Sequence, residues 1–377
     1  MRFHFPPALK PGTRIKSIDS LRGLAAMVVV WHHFVVLFPD TFESLRSRAP
    51  ALYSMAVWVS DQNLNAVLLF FVLSGVSIRI ALSNDFLYDP GSVSRYFRRR
   101  AARILPLYWL ALGWTAVLGH FYGLSDPSFH LSNFAGNLVF LQTSGSARGT
   151  WFIPFGRNGP LWSLSYEVFF YALLPVVLLA LDRQKTFRTS TLDILLVGAF
   201  VTSIVAIALG RVFATPFTSF LAYWAIWMYG FSFGDLLLRP RMAIALSLPA
   251  PACLLVLHIL RARDLQAATL NVLAAGLCIG SLFVAVYFIW GVLPRIVRHV
   301  SRRSLVTVFL PVGRGSYALY LFHYPLLLAT AGVSRKYCAS LALSTSCAAI
   351  VIAVLALFWC PWLEMVMRTP GRRLFGV

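Results

Sequence analysis

The chain of 377 residues is 59% hydrophobic and 12% charged, and its mean hydropathy is +0.74. Because soluble globular proteins carry about 25% charged residues, this composition excludes a soluble domain and predicts an all-α integral membrane protein. The formal net charge of +20 raises the possibility of nucleic-acid binding, but the distribution of the basic residues along the chain argues against it.

Apolar runs near the length of about 20 residues that crosses a bilayer recur along the whole chain. They predict about ten transmembrane helices in a single membrane domain over 18–362, between an N-terminal segment 1–17 and a C-terminal tail 363–377, with no soluble domain. The two longest connections, 39–63 and 125–160, are expected on the outer side. The predicted spans are 18–38, 64–82, 104–124, 161–181, 192–210, 218–238, 242–260, 267–293, 305–330 and 339–362.

The basic residues are distributed unequally between the two sides of the membrane. Of the 33 lysines and arginines, 21 fall on the side of the N-terminus, nine on the opposite side, and three within spans, namely Arg22, Arg79 and Arg314. By the positive-inside rule, both termini are expected in the cytoplasm. The positive charge therefore indicates topology, and the expected partner is the lipid bilayer, with no nucleic acid. The N-terminus lacks the pattern of a cleaved signal peptide, so the first span is expected to remain as an anchor.

The first span carries two polar residues in an apolar run. Inserting an arginine into a bilayer costs at least about 2.5 kcal/mol, so Arg22 is expected to face protein, water or an anionic ligand. Arg22 and His33 are eleven positions apart, which puts them on one helical face with about 16 Å between them along the axis. His32 points elsewhere. This pattern predicts one wall of an active site.

The second span contains the small residues Ser74 and Gly75 and, near its inner end, Arg79. Small residues let a neighbouring helix or a ligand approach the backbone closely, and helix packing is the commoner reason for them. Arg79 is expected to extend towards the membrane interface.

A basic segment, RYFRRRAAR, follows on the inner side. Arg100 and Arg103 are three positions apart and share a helical face. Such a cluster is commonly held against anionic lipid headgroups. The alternative is a clamp for a phosphate-bearing cosubstrate, because guanidinium groups pair with phosphate through two hydrogen bonds.

An acid lies inside the fourth span. Glu167 is costly in a membrane unless it is paired, and an intramembrane acid indicates a functional site. Tyr171 lies one turn away on the same face. If Glu167 meets His33, it would orient the imidazole and raise its basicity.

The ninth span places Ser316, Tyr320 and His323 at spacings of four and three residues, so the three share a face and are candidates to line one cavity. A lone histidine on an apolar helix is more often a hydrogen-bonded core residue than a ligand.

The five cysteines are scattered through late apolar spans and predict neither a disulfide framework nor a metal site. His32 and His33 are adjacent and cannot both point at one ion.

These stretches together resemble the membrane acyltransferase-3 family. The resemblance rests on five motifs in the family's order: an Arg-x10-His pair, an FF-x-x-SG element, an Arg-x-x-Arg element, a W-S-L-x-x-E-x-x-F-Y element and an S-Y-x-x-Y-L-x-H-x-P element. Their residues here are Arg22 and His33; Phe70, Phe71, Ser74 and Gly75; Arg100 and Arg103; Trp162, Ser163, Leu164, Glu167, Phe170 and Tyr171; and Ser316, Tyr317, Tyr320, His323 and Pro325.

The resemblance implies an O-acyltransferase of the bacterial cytoplasmic (inner) membrane. Its cosubstrate would be cytoplasmic acetyl-CoA, its acceptor a sugar hydroxyl of a cell-surface polysaccharide or lipid-linked oligosaccharide, and no metal would take part. On this interpretation His33 acts as general base or as carrier of the acyl group, and Glu167 stabilises the imidazolium. Arg22 is expected to take part both in catalysis, with His33 and Glu167, and in binding the donor. The other expected donor-binding residues are Arg100, Arg103, Ser74 and Gly75. The expected substrate-binding residues are Tyr171, Ser163, Trp162, His323, Tyr320 and Ser316.

Two other classes of protein remain open at this stage. Buried Arg, His and Glu residues in ten spans also suit a permease for a sugar or lipid-linked sugar, with His33 and Glu167 as a proton relay. Against a permease, the sequence shows no symmetry of two halves. The third class is a structural component of a polysaccharide-synthesis complex with no chemistry of its own.

Overall fold

A computed structural model of the chain describes residues 8–10, 12, 15–82, 86, 91–121, 126–145, 147, 149–181, 189–239, 268–292, 308–337 and 340–377. This part is helical and contains no strand, apart from an isolated β-bridge between Gln142 and Phe152. Its helices are α1 (Lys16–Leu37), α2 (Pro39–Arg48), α3 (Pro50–Asp61), α4 (Asn63–Ala81), α5 (Ser92–Phe121), α6 (Leu131–Leu138), α7 (Trp162–Leu181), α8 (Thr189–Leu209), α9 (Pro216–Ala222), α10 (Trp224–Leu238), α11 (Ala268–Val292), α12 (Leu310–Arg314), α13 (Ser316–Tyr337), α14 (Leu341–Val354) and α15 (Cys360–Phe375).

Six helical segments in the described part are long and apolar enough to cross a membrane. They are Lys16–Leu37, Pro50–Ala81, Ser92–Gly119, Gly159–Ala180, Thr269–Val286 and Ala342–Phe375. They overlap six of the ten predicted spans and confirm the all-α membrane fold.

The other four predicted spans have different outcomes. The span 192–210 is matched by the shorter apolar helix Ile194–Leu209. The spans 218–238 and 305–330 are each divided in two, at Tyr223 between α9 and α10 and at Gly315 between α12 and α13. The predicted span 242–260 lies outside the described residues, as do the basic connections 183–188 and 295–303.

The connection 39–63, to which the sequence analysis assigned no secondary structure, is almost wholly helical. Pro39 and Pro50 each occupy the first turn of a helix, a position that proline favours because its missing N–H has no partner there. The segment PALYSMAVWVSD is apolar and runs into α4, so 50–81 forms one apolar stretch.

Helix α5 also begins earlier than predicted. It includes the whole basic segment from Ser92 onward, because arginine and alanine are good helix formers. Arg100 and Arg103 are therefore held on the same continuous helix as the apolar span that follows.

Helices α4 and α10 pack with their backbones in close approach. A Cβ added at Gly75 would stand 2.2 Å from the carbonyl oxygen of Trp227, and one added at Gly230 would stand 2.1 Å from that of Val72. These two positions must be glycine for the helices to meet at this distance. The packing favours the interpretation of Gly75 as a helix-contact residue over its predicted contact with a cofactor.

A buried ion pair joins the same two helices. Arg79 is fully buried, and its Nε and Nη2 donate to Oδ1 of Asp235 at 2.9 and 2.5 Å. The expectation that Arg79 extends to the membrane interface is therefore wrong. Asp235 lies 156 residues further along the chain, so no local pattern could indicate this partner.

Removing one member of this pair should destabilise the protein strongly. Asp235→Ala leaves the buried charge of Arg79 without its carboxylate, and we expect the free energy of unfolding to fall by about 3–5 kcal/mol. Unfolding of the detergent-solubilised protein measures the change. The control is Glu43→Gln, which breaks an ion pair with Arg46 whose side chains are 62% and 68% exposed, and which should change stability little. Equal effects of the two substitutions would contradict a structural role for the buried pair.

Candidate active site

Three adjoining spaces run through the described helices. The first, the basic cavity, has a volume of about 670 Å³ and is lined by Asp19, Arg22 and arginines of α5 and α15. The second, the neck, measures about 70 Å³ and is lined by Arg22, Glu167 and Tyr320, among others. The third, the histidine cavity, measures about 460 Å³ and is lined by His33 and Tyr320.

The residues that the spaces share establish their order. Arg22, Arg100 and Arg103 line both the basic cavity and the neck, and Tyr320 lines both the neck and the histidine cavity. The two cavities also lie towards opposite ends of α1, because Asp19 borders one and His33 the other, about 21 Å apart along the helix axis. The neck therefore lies between a basic space and a histidine-lined space.

The three predicted arginines have donors available at the end of this path that the basic cavity forms. Nη2 of Arg22 donates to Oγ of Ser77 at 3.0 Å and more weakly to the Leu73 carbonyl at 3.4 Å. Nε of Arg100 is buried and has no hydrogen-bond partner in the part of the chain that the structure describes. Arg103 exposes its side chain to the basic cavity and the neck. Guanidinium groups with free donors beside a cavity are typical of anion binding.

Glu167 belongs to the neck, where its partners are hydroxyl groups. It accepts hydrogen bonds from Ser74 Oγ at 2.6 Å and from the hydroxyl of Tyr171, the residue one turn away that the sequence placed on the same face. Nε1 of Trp227 donates to Ser74 at 3.2 Å and fixes the cluster against α10. The contact expected between Glu167 and His33 is not formed in the structure, because α7 directs the carboxylate towards Ser74 of α4 and not towards the part of α1 that carries His33.

His33 pairs instead with His323 of α13. Nδ1 of His33 lies 3.1 Å from Nε2 of His323 and 2.8 Å from the carbonyl oxygen of Val29. Nδ1 of His323 lies 2.9 Å from the Leu319 carbonyl and 3.0 Å from the Tyr320 carbonyl. His323 is fully buried, so its predicted contact with substrate is replaced by a contact with His33.

These distances assign the protons of both rings. Carbonyl oxygens only accept hydrogen bonds, so Nδ1 of His323 carries the proton and its Nε2 presents a lone pair. That lone pair and the Val29 carbonyl then both accept from Nδ1–H of His33. Nε2 of His33 is therefore the unprotonated nitrogen, in a ring that lines the histidine cavity. This is the form of imidazole that acts as a general base.

Tyr320 forms the wall between the neck and the histidine cavity. Its hydroxyl donates to the carbonyl oxygen of Pro160 at 2.8 Å and accepts from Ser163 Oγ at 2.7 Å. One bond reaches Ser163 in the first turn of α7 and the other reaches Pro160 in the turn just before it, so Tyr320 is held at two points. Trp162 lines the histidine cavity beside it, and Ser316 lines the neck.

An exposed ion pair lies in the wall of the histidine cavity. Asp126 and Arg157 form a short charged contact, and Asp126 also accepts from the backbone N–H of Ser128 at 2.8 Å. Hydrogen bonds from Ser128 and from Arg157 lower the pKa of the Asp126 carboxyl to about 2. The sequence placed both residues in an outer connection and gave no reason to pair them.

The C-terminal helix contributes residues that sequence reasoning missed. Glu364 of α15 lines the basic cavity, and its Oε1 accepts from the backbone N–H groups of Tyr317 and Ala318 at 2.9 and 3.1 Å. These N–H groups belong to the first turn of α13 and have no partner within that helix. Glu364 thus caps the helix that carries Tyr320 and His323.

The fold and the site together define a multi-pass membrane protein in which an unprotonated imidazole and an arginine-lined cavity lie on either side of a narrow neck. The sequence profile of the acyltransferase-3 family, described as an acyltransferase domain, matches residues 15–365. The chain belongs to this family and is a membrane acyltransferase. No curated protein and no solved structure matches it.

Replacing His323 should impair the chemical step more than substrate binding. His323→Phe removes the lone pair that accepts from His33, and we expect kcat to fall by about 10- to 100-fold, part of the 10²- to 10⁴-fold that a positioned base contributes. KM should change by less than about threefold, because His323 is buried away from the cavity. Steady-state kinetics of acyl transfer measure both constants.

Two further variants separate positioning from packing. His323→Gln keeps an acceptor oxygen and should retain more activity than His323→Phe. His32→Gln alters the neighbouring ring, which bonds to Ser60 outside this site, and should leave kcat unchanged. Equal losses in the Phe and Gln variants would contradict a hydrogen-bonding role for His323.

The ion pair between Asp126 and Arg157 should stop contributing to the stability of the protein only at acidic pH. Because the pKa of Asp126 falls from an ordinary 3.8 to about 2, its contribution to stability is complete above about pH 4 and is lost as the pH approaches 2. Asp126→Asn should therefore lower the thermal unfolding temperature equally at about pH 5 and pH 8, and by less at about pH 3. A difference that grows on acidification would contradict this assignment.

Proposed function

We propose that the protein is an O-acyltransferase of the bacterial cytoplasmic membrane. It moves an acetyl group from cytoplasmic acetyl-CoA to a sugar hydroxyl of a cell-surface polysaccharide or of its lipid-linked precursor. The observation that carries the proposal is the order of the three spaces, with anion-binding donors at one end and the unprotonated Nε2 of His33 at the other.

The basic cavity suits the nucleotide end of the donor. Its arginines match the charge of phosphate groups, and Gly12 and Val377, near the two ends of the chain, both border it. With cytoplasmic termini, as the charge distribution indicates, this cavity opens to the compartment that contains acetyl-CoA.

The neck suits the acyl-carrying arm. That arm is narrow and contains amide groups, and the neck offers one carboxylate acceptor, Glu167, and the hydroxyls of Ser74 and Tyr171. An amide N–H can donate to Glu167 while an amide carbonyl accepts from a displaced hydroxyl. The thioester would then lie beside Tyr320, at the border of the histidine cavity.

The histidine cavity suits a sugar. Its volume of about 460 Å³ falls in the range of about 300–1,000 Å³ that is usual for small-molecule sites. Asn63, Asp126 and Ser128 supply hydrogen-bonding groups, Trp162 and Tyr324 supply aromatic faces, and Oδ1 of Asn63 is buried without a protein partner in the described structure. A hydroxyl-rich ligand would satisfy such an oxygen.

The chemical step follows from the proton assignment. Nε2 of His33 takes the proton of the attacking sugar hydroxyl, whose oxygen forms the new bond to the thioester carbonyl carbon. The carbon–sulfur bond then breaks, and the imidazolium returns its proton to the leaving thiolate. The hydrogen bonds from Nδ1–H to the Val29 carbonyl and to His323 strengthen as the ring becomes charged. They would stabilise the imidazolium, as the acid of a catalytic triad stabilises its histidine. In the alternative order of steps, Nε2 first takes the acyl group from the thioester and then passes it to the sugar hydroxyl.

The competing permease hypothesis required a proton relay between His33 and Glu167. The two residues have different partners, His323 for one and Ser74 with Tyr171 for the other. Nothing in the geometry favours that relay, so the acyltransferase remains the better supported function.

The proposal is tested by the acetyl content of extracted surface polysaccharide, measured by proton NMR. A deletion strain would carry the wild-type protein, His33→Ala, Glu167→Gln or the control His130→Ala at matched membrane abundance. We expect one acetyl signal to disappear with His33→Ala, to fall with Glu167→Gln, and to persist with His130→Ala, whose histidine is exposed outside the site.

Consumption of acetyl-CoA by the purified protein provides the second measurement. Loss of the base should reduce it by about 10²- to 10⁴-fold. Unchanged acetylation in every strain, the deletion strain included, would contradict the proposed acceptor or acyl group. Uptake of a sugar without consumption of acetyl-CoA would support the permease instead.

A further inference from the structure

The C-terminal helix α15 brings a second set of arginines to the basic cavity. Glu364, Arg368 and Arg372 recur every four positions, so they share one helical face, and all three line the cavity. At Gly371 the helix lies so close to α5 that an added Cβ would stand 2.4 Å from the Ala102 carbonyl oxygen. This contact holds the arginines of α15 beside those of α5.

The cavity has a large excess of positive charge. Six arginines and two carboxylates line it, and one of the carboxylates, Glu364, is already engaged by two backbone N–H groups of α13. Within the described ranges, none of the six arginines forms an ion pair. The six are Arg22, Arg99, Arg100, Arg103, Arg368 and Arg372.

Cations this close repel one another unless an anion lies between them. The buried Nε of Arg100, which has no hydrogen-bond partner in the described structure, is a second and independent sign of an occupant with acceptor groups. A volume of about 670 Å³ exceeds what a single inorganic ion needs. The cavity therefore matches an extended ligand that carries more than one phosphate group.

The arginines divide into two sets along the path. Arg22, Arg100 and Arg103 line the neck as well as the basic cavity. Arg99, Arg368 and Arg372 line the basic cavity alone among these spaces. The second set is thus further from His33.

We propose that Arg368 and Arg372, together with Arg99, bind the phosphate groups at the nucleotide end of coenzyme A. The arginines of the first set meet the part of the donor that enters the neck. This assignment rests on the proposed function and adds the C-terminal helix to the donor site. The phosphate of an anionic lipid headgroup has the same chemistry, and the experiment separates the two sources.

The test uses the full-length protein in nanodiscs of phosphatidylcholine, with binding measured by isothermal titration calorimetry. The probes are coenzyme A and pantetheine, which lacks the nucleotide. We expect Arg368→Gln combined with Arg372→Gln to weaken coenzyme A binding by at least about tenfold, which is about 1.4 kcal/mol, and to leave pantetheine binding unchanged.

Matched controls lie next to the tested residues. Arg373 is on the same helix and Arg98 on α5, and both are exposed and absent from the cavity lining. Arg373→Gln and Arg98→Gln should each bind coenzyme A within about twofold of wild type, whereas Arg99→Gln should bind it several-fold more weakly. Arg368→Lys combined with Arg372→Lys preserves the positive charge and should weaken coenzyme A binding less than the double glutamine variant does. It also provides a folded variant to test if the double glutamine variant does not fold.

The outcomes separate this inference from the proposed function. A wild-type protein that binds no coenzyme A would overturn both. A wild-type protein that binds it, with equal binding by the double variant, would overturn the role of α15 alone. The double variant could also bind coenzyme A as well as wild type does but lose phosphatidylglycerol that remains bound to wild type through purification. That result would assign the cavity to a lipid headgroup and overturn the inference.

Discussion

The arrangement of this protein depends on one constraint, which is that every charge buried in an apolar helical bundle needs a partner or a polar space. Arg79 satisfies it with a carboxylate from a distant helix, Asp235, and the result is a closed contact between α4 and α10. Arg100 and Arg103 satisfy it with a cavity. The ion pair of Arg79 stabilises the bundle, whereas Arg100 and Arg103 keep donors available for a ligand. Buried arginines therefore have a structural role in one place and line a candidate site in another.

Two helices connect the ends of the site. Helix α1 runs from the basic cavity to His33, and α13 carries both Tyr320, which borders the neck, and His323, which contacts His33. The start of α13 is capped by Glu364 from the C-terminal helix and joined to α5 by a bond from the Tyr317 hydroxyl to a backbone carbonyl at 3.0 Å. Residues beside the basic cavity thus hold the helix that carries the partner of His33. Glu364 and Tyr317, which were not among the predicted site residues, therefore affect the position of His323 through the helix they hold.

The sequence predicted what depends on local periodicity and composition. The membrane class, six of the spans, the shared face of Glu167 and Tyr171, and the shared face of Arg100 and Arg103 follow from hydropathy and helical spacing. That Arg22 lies with these two arginines was expected from the resemblance to the family and not from spacing. Long-range partners could not be predicted in this way, because helix rotation and packing order decide them. The pairing of His33 with His323 spans 290 residues, and no spacing rule reaches that far. The divided spans and the helical connection 39–63 were missed for a related reason: average hydropathy does not register a break at a single residue or a helix that begins at proline.

The wall formed by Tyr320 has a consequence for the electrical behaviour of the site. Where water fills the cavities on both sides of a thin protein layer, the low-dielectric distance is short and most of the transmembrane voltage falls across that layer. Moving one elementary charge through 100 mV is worth about 2.3 kcal/mol. In the proposed orientation, the bonds from Tyr320 to Pro160 and Ser163 lie in the region of strongest field, next to the base. If His33 is the base, as proposed, its proton would move within that field, and the rate of transfer would depend on the membrane potential.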